Sequence, residues 1–259
     1  MRELIKFLVR KVPRPVLIKF SFVFGEIMSV FYIGNKVECT VCSKHYRKFL
    51  PYGNLGQDNR LCPSCLSLER HRLLWFYLQE KTNFFTDKLD VLHIAPEQPF
   101  YKRFEKLENL NYITADLESP IAKVKMDIRE MPFDDNTFDV LLCNHVLEHI
   151  DDELKATKEI YRVLKPGGWA ILQVPLDYSL ETTYEDQSIT DPKEREKHFG
   201  QYDHLRVYGN DYALRLEKSG LKVTADNFVQ SFDKIEIEKY RFDKSEKIYF
   251  CEKDISMYE

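Results

Sequence analysis

Four cysteines of the chain stand as two C-x2-C pairs, Cys39 with Cys42 and Cys62 with Cys65, separated by nineteen residues. Each pair can aim two thiolates at one point, and two such knuckles complete the tetrahedral shell of a closed structural Zn2+ site with no coordination position left for chemistry. The remaining two of the six cysteines, Cys143 and Cys251, stand singly inside apolar runs, so the spacing is that of a metal site rather than a disulfide framework. His45 and His71 lie close by, but four thiols suffice, and both histidines read as surface or core residues.

A second set of chemistry-bearing residues closes a series of apolar runs. His93-Ile94-Ala95-Pro96-Glu97 ends the run DVLHIA, and Asp116-Leu117 ends NYITA. An acid about 20 residues beyond a first strand can accept hydrogen bonds from ribose hydroxyls. Asp127-Ile128 follows in KMDIREMPF, where the carboxylate could accept from an exocyclic amine of adenine, and Asn144-His145 ends FDVLLC. A histidine at a strand end titrates near neutrality and can take a proton from an acceptor, so His145 leads as general base, with His149 and His204 behind it. His145, Glu148 and His149 fall at i, i+3 and i+4, so all three could point one way, and with His204 they could hold a second, divalent metal. No glycine occurs between Gly56 and Gly167, which argues against a glycine-rich dinucleotide phosphate cradle after the first run.

These residues need a scaffold that brings strand ends together. Apolar runs near 90–95, 111–115, 122–126, 138–143, 169–174, 221–225 and 246–251 alternate with helical stretches, the pattern of an α/β fold with a mostly parallel sheet covered by helices on both faces. In such a sheet the ligand crevice lies at the carboxyl ends of the strands, where strand order reverses. The best defined helix is 151–164, with an acidic first turn and Lys165-Pro166-Gly167-Gly168 at its end. The polar stretch 175–209 is too long for an ordinary connection and is expected to cover the acceptor, offering Tyr184, Glu185, Asp186, Tyr202, Asp203, His204 and Arg206.

Three parts follow: N-terminal helices over 1–36, a small zinc-ribbon-like module and linking helix over 37–80, and the sheet domain over 81–259. Residues 1–34 read as two amphipathic helices split around Pro13 and Pro15. Their cations and apolar residues suit either peripheral membrane contact or packing, including a homodimer. Lys19 and Glu26 interrupt the second stretch before it could span a bilayer. Hydrophobic residues make up 44% and charged residues 31% of 259, with a net charge of -4, so nucleic acid is not an expected partner. No cleavable leader pattern stands out, and the expected location is cytoplasmic, including the inner face of the membrane.

FDVLLCNHVLEHI, RVLKPGG and MDIREMPF together resemble the class I S-adenosylmethionine-dependent methyltransferases, in particular the broad small-molecule type 11-like group, over about residues 88–225. CPSCLSLERHRLLW before this region and FGQYDHLRVYG at 199–209, following the fifth strand, are similar to a bacterial subgroup with an N-terminal cysteine module. The resemblance implies a Rossmann-like seven-stranded sheet and S-adenosylmethionine as cofactor. It puts Asp116 on the ribose, Asp127 and Ile128 on the adenine, and Asn144 and His145 beside the methionine part. The first strand's turn, HIAPEQPF, departs from the group's glycine-rich pattern, and leaves His93, Ala95, Pro96 and Glu97 to do its work. A metal held by His145, Glu148, His149 and His204 would resemble that of some hydroxyl methyltransferases of small RNA and quinone precursors, which carry glutamate where His145 stands. The implied activity is methyl transfer to an oxygen, with nitrogen second, of a small-molecule acceptor such as a sugar, glycolipid or secondary metabolite. RNA or tRNA methylation and a non-catalytic zinc-containing scaffold are the alternatives.

Overall fold

The structure is a computed structural model that describes residues 14–53 and 57–255. Helix α1 (Arg14–Phe31) leads into two short hairpins, β1 (Ile33–Cys39) with β2 (Lys44–Tyr46) and β3 (Leu50–Tyr52) with β4 (Gln57–Leu61). Pro15 stands in the first turn of α1, and Pro13 and the first of the two expected helices lie outside the described residues. No helix among the described residues is long and apolar enough to cross a membrane.

Helix α2 (Glu69–Glu80) connects the cysteine region to a seven-stranded sheet whose strands are β5 (Leu89–Ile94), β6 (Leu110–Asp116), β7 (Val124–Lys125), β8 (Phe138–Asn144), β9 (Leu164–Gln173), β12 (Lys222–Asp226) and β13 (Ile248–Glu252). Their order is β12-β13-β9-β8-β5-β6-β7, and only β13 runs antiparallel to its neighbours. All seven expected strands are present. The chain builds outward from β5 to β7, then returns to add β8 on the other side of β5, so the order reverses between β5 and β8. Loops leaving adjacent strands there diverge and open a crevice.

Alternation along the central strands explains why both faces are covered. Val140 and Leu142 of β8 join one core with Leu73, Leu74, Tyr77 and Leu78 of α2, whereas Leu141 and Cys143 join the other. That second core is closed by Ala156, Ile160 and Val163 of α4 (Glu153–Val163) and by Tyr212 and Leu216 of α6 (Tyr212–Glu217). A period of two on a strand sends successive side chains to opposite faces, which is why these strands are apolar almost throughout. α4 starts where Asp152 accepts from the Lys155 N–H at 2.9 Å, a side-chain cap that satisfies one free amide of the first turn. The first core also contains Cys39, Cys62 and Cys65, so the cysteine region packs continuously onto the sheet.

Three further helices stand among the described residues: α3 (Gln98–Phe104) after β5, α5 (Pro192–Phe199), and α7 (Lys234–Tyr240). α5 lies in the long insertion, which also pairs β10 (Tyr184–Glu185) with β11 (Arg206–Val207).

Candidate functional site

A crevice of about 450 Å³ opens at the carboxyl ends of β5, β6 and β8. Its floor is Ile94 and Ala95 after β5, its sides are Asp116, Leu117, Met126, Asp127 and Ile128, and Val146, His149 and Ile150 close it from the β8 side. A larger groove of about 710 Å³ adjoins it, sharing Asp151, Arg195 and Leu205, but it lies along the insertion rather than at the strand ends. We place the site at the strand ends, where topology opens the sheet, and take the outer groove as its approach.

The turn without glycine is made by Ala95, whose φ of 49° is left-handed. Such a conformation costs an alanine roughly 1–2 kcal/mol, and it lets the chain reverse directly into α3 as a glycine would. Ala95 also closes the strand, its N–H donating to Ala115 at 2.8 Å.

Asp116 is held in place locally. Its Oδ1 accepts from the backbone N–H groups of Glu118 and Ser119 at 2.7 and 2.6 Å, fixing the carboxylate at the crevice wall and leaving Oδ2 to accept from a ligand. Asp127 is different: Arg129 clasps it, Nε at 3.0 Å from Oδ1 and Nη2 at 2.6 Å from Oδ2, which holds its carboxyl below the usual range. Arg129 reaches Asp151 as well, at 2.5 Å. Both oxygens of Asp127 therefore already have donors, and an adenine amine would have to share them.

Beyond β8, His145 (φ 56°) turns the chain into a 3-10 turn, Leu147–His149. Its Nδ1 lies 3.4 Å from the buried carboxylate of Glu148. Glu148, His149 and His204 bring one donor atom each to within 4.8 Å of one another. His145 is outside that triplet, so the expected four converge only in part. The imidazole tautomers follow from their partners. His149 Nδ1 faces the Asp203 carbonyl at 3.2 Å and His204 Nδ1 the Phe199 carbonyl at 3.2 Å. A carbonyl can only accept, so each Nδ1 carries the proton and each Nε2 presents a lone pair. His204 Nε2 and Glu148 Oε2 are buried and unpartnered among the described residues. Burial, opposed by the Glu148 charge, lowers the His204 pKa, so its neutral form prevails near neutrality. Two imidazoles and a carboxylate thus bring one possible ligand atom each into a small space, a donor set that suits a cation or a ligand hydroxyl.

Pro96 is buried and Glu97 turns away from this crevice, toward α2. Glu97 Oε1 lies 2.9 Å from His71 Nε2, and Oε2 accepts from Asn144 Nδ2 at 2.8 Å. His93 is fully buried behind the turn, its Nδ1 bonded to the Tyr112 hydroxyl at 2.7 Å. Among the expected cofactor residues, Ala95, Asp116, Leu117, Asp127 and Ile128 thus line the crevice, whereas His93, Pro96, Glu97, Asn144 and His145 are not part of its wall.

The four thiols converge. Cys39 Sγ is 3.5 Å from Cys65 Sγ and Cys42 Sγ 3.7 Å from Cys62 Sγ, with all four within 4.8 Å. A tetrahedron with metal–sulfur bonds near 2.3 Å has edges of about 3.8 Å, so the donor set fits zinc in number, kind and spacing. The knuckles are built alike: Ser43 N–H returns to Cys39 O at 2.7 Å and Leu66 N–H to Cys62 O at 3.1 Å, and both Ser43 and Leu66 are left-handed. Arg72 is fully buried beside them, donating to the carbonyls of Tyr240, Arg60 and Ser67. Burial alone would raise the Cys39 thiol, but hydrogen bonds from the other three cysteines and the Arg72 charge outweigh it and hold it well below the usual thiol range.

The insertion folds over the crevice. Leu205 N–H bonds Glu148 O at 2.9 Å, and Arg206 donates to the carbonyls of Leu147, Ile150 and Asp151, so Arg206 rivets the insertion to the turn after β8 rather than facing an acceptor. This arrangement brings Arg195, Asp203 and Leu205 into the wall. Sequence reasoning missed Met126, Val146 and Ile150, which flank the chosen acids and histidines, and Arg129, whose i+2 spacing from Asp127 was the available signal. Arg195 and Leu205 left none.

Residues 87–172, about a third of the chain, match the family described as Methyltransferase domain, which marks the sheet from β5 to β9 as an enzyme domain. The chain is 40% identical over 72 residues to "Ubiquinone/menaquinone biosynthesis C-methyltransferase UbiE" of Idiomarina loihiensis, covering 27% of this chain and 29% of that protein. It is 47% identical over 58 residues to "Demethylmenaquinone methyltransferase" of Staphylococcus epidermidis, covering 22% and 24%. The chain thus spans less than a third of the length of these curated relatives. Among solved structures, the [4+2]-cyclase SpnF shares the fold, with a TM-score of 0.51 at 14% identity over 92% of this chain and 95% of that one. A protein titled as a cyclase on this fold is a reminder that the reaction is set by side chains at the site, not by the sheet.

Proposed function

We propose that the chain transfers a methyl group from S-adenosylmethionine to an oxygen, with nitrogen second, of a small molecule such as a sugar, glycolipid or secondary metabolite. The observation that carries this reading is the strand-end crevice inside the matched domain, with Asp116 and Ile128 in its wall. Asp116 would hold the ribose, and Leu117, Met126 and Ile128 would sandwich the adenine. Bound S-adenosylmethionine would supply an electrophilic methyl carbon, which the acceptor oxygen would attack in line as the carbon–sulfur bond broke, with the electron pair going to the departing S-adenosylhomocysteine. The hydroxyl proton passes to a base, and the protein's contribution is alignment plus that base. The buried lone pairs of His204 and Glu148 favour an acceptor that must lose a proton. The relatives' names speak of carbon methylation for those proteins; product analysis separates a methyl ether from a carbon-bound methyl.

A second reading is favoured by the same triplet: Glu148, His149 and His204 could hold a divalent cation, which would lower the pKa of a coordinated acceptor hydroxyl. Ahead of α2, the four thiols would hold a structural zinc.

Isothermal titration with S-adenosylmethionine or S-adenosylhomocysteine tests the central reading. Binding by the wild type, and a loss of about 1.5–3 kcal/mol in Asp116→Ala through the missing charged hydrogen bonds, is expected. No heat with either ligand would remove the proposal.

A further inference from the structure

We infer that His71, on the helix that follows the cysteine knuckles, is a positioning residue for the cofactor, acting through Glu97 and Asn144; this rests on the function proposed above. Its tautomer is fixed by its partners. Nδ1 accepts the Leu68 N–H at 2.9 Å, and an amide can only donate, so the ring proton is on Nε2 and is donated to Glu97 Oε1 at 2.9 Å. Leu68 in turn follows Ser67, whose hydroxyl lies 3.1 Å from Cys39 Sγ and 3.3 Å from Cys65 Sγ, and whose carbonyl accepts the Cys62 N–H at 2.8 Å. The thiol cluster, the start of α2 and the turn after β5 are therefore one hydrogen-bonded chain.

The far end of that chain is at the strand-order reversal. Glu97 Oε2 accepts from Asn144 Nδ2, which settles the amide's orientation and leaves Asn144 Oδ1 as an acceptor, buried and unpartnered among the described residues. Glu97 itself is 13% exposed. Burial acts against its charge, yet the hydrogen bonds from His71 and His93 hold its carboxyl well below the usual range. Burial lowers the His71 pKa, in keeping with a neutral ring whose Nδ1 accepts the Leu68 N–H. The bridge thus ties the turn after β5 to the end of β8 behind the wall of the crevice. Ala95, two residues before Glu97, is in that wall, so fixing Glu97 fixes the turn against which the cofactor would lie, and the carboxylate behind it disfavours a phosphate there.

The inference separates His71 from an ordinary core residue. A glutamine at this third helical position could accept the Leu68 N–H through its carbonyl and donate its amide to Glu97, whereas asparagine is one methylene too short to bridge, and leucine fills the space with no polar group. Titration of S-adenosylhomocysteine into the full-length protein is expected to show His71→Leu and His71→Asn weaker than wild type by about tenfold or more, the loss of one charge-assisted hydrogen bond, and His71→Gln within about threefold. Amide hydrogen exchange without ligand is expected to rise in peptides covering 94–98 and 143–146 in the asparagine and leucine variants but not in the glutamine one. Equal affinity across wild type, His71→Asn and His71→Gln, with unchanged exchange, overturns the inference while leaving the cofactor reading intact. If the wild type binds neither ligand, the functional proposal fails and the exchange pattern still decides whether His71 orders the turn. Should His71→Leu not fold, the asparagine and glutamine pair carries the comparison.

Discussion

Ala95 and His145 leave the adjacent parallel strands β5 and β8 in the same left-handed conformation, with φ of 49° and 56°, one step and two steps beyond the last paired residues, Ile94 and Cys143. Two non-glycine residues in this region on neighbouring strands mark the place where the chain must turn most sharply, and histidine tolerates it better than most. At Ala95 the cost can be measured. Ala95→Gly removes the left-handed strain but adds freedom to the unfolded chain, so stability in chemical denaturation should change by less than about 1 kcal/mol, with cofactor affinity retained. Ala95→Val, stiff at Cβ, should lose roughly 2 kcal/mol or more. A large loss in the glycine variant would instead show that the alanine methyl packs as a core group.

For the thiol cluster, elemental analysis should find one zinc per chain, and Cys62→Ser should lower the melting temperature by several degrees or more, because assembling the site is part of folding this region. The shared core makes the effect reach the sheet: Cys62 packs in the same cluster as Val91 and Val140. Metal-free protein with an unchanged melting curve would refute a structural metal.

The seven strands, the covering of the sheet by helices on both faces and the four-cysteine site were legible in the sequence because each rests on a local pattern: apolar runs alternating with helical stretches, an amphipathic helix with an acidic first turn, and cysteine spacing. Asp116 was legible for the same reason, as an acid at a strand end. The bridge from His71 to Glu97 was not, since 26 residues separate them and nothing in either neighbourhood announces the other. Nor was the fate of Asp127, whose oxygens are taken by an arginine two residues on. Strand-end logic says where a side chain begins; whether it faces the crevice, as Asp116 does, or turns behind it, as Glu97 does, depends on partners brought in by the fold.

Helix α1 carries a stripe of exposed apolar side chains, Phe20, Val23, Ile27 and Val30, spaced three and four apart so that they share one face. Gly25 lies on another side, so close to the Ser64 carbonyl that an added Cβ would sit 2.7 Å from it. If the stripe meets a membrane surface, full-length protein should float with anionic vesicles, and Val23→Glu with Ile27→Glu should abolish flotation while leaving cofactor affinity unchanged. A wild type that never floats but elutes as a dimer, with the double variant monomeric, would assign the stripe to a second copy.

The last prediction concerns proton removal from the acceptor. His145, at the strand end, and His204, on the insertion, each carry a buried Nε2 without a partner among the described residues, but only His204 belongs to the triplet with Glu148 and His149. A general base contributes roughly 10²–10⁴-fold, so substituting the true base by alanine should cut turnover by that factor with cofactor affinity little changed. If His204 is the base, the active form is the neutral ring. Burial lowers its pKa, so the rate should rise with pH with its midpoint below the ordinary histidine value of 6.5. A cation at the triplet gives a different signature. Glu148→Gln, His149→Ala and His204→Ala would then fail together, and a chelator mild enough to spare the four-thiolate site would stop turnover until magnesium or manganese returned. Under the base reading, His149→Ala should retain most activity and the chelator should do nothing. Wild-type turnover in both His145→Ala and His204→Ala would exclude either histidine as base and leave Glu148, the remaining buried acceptor of the cluster, as the group to test by Glu148→Gln.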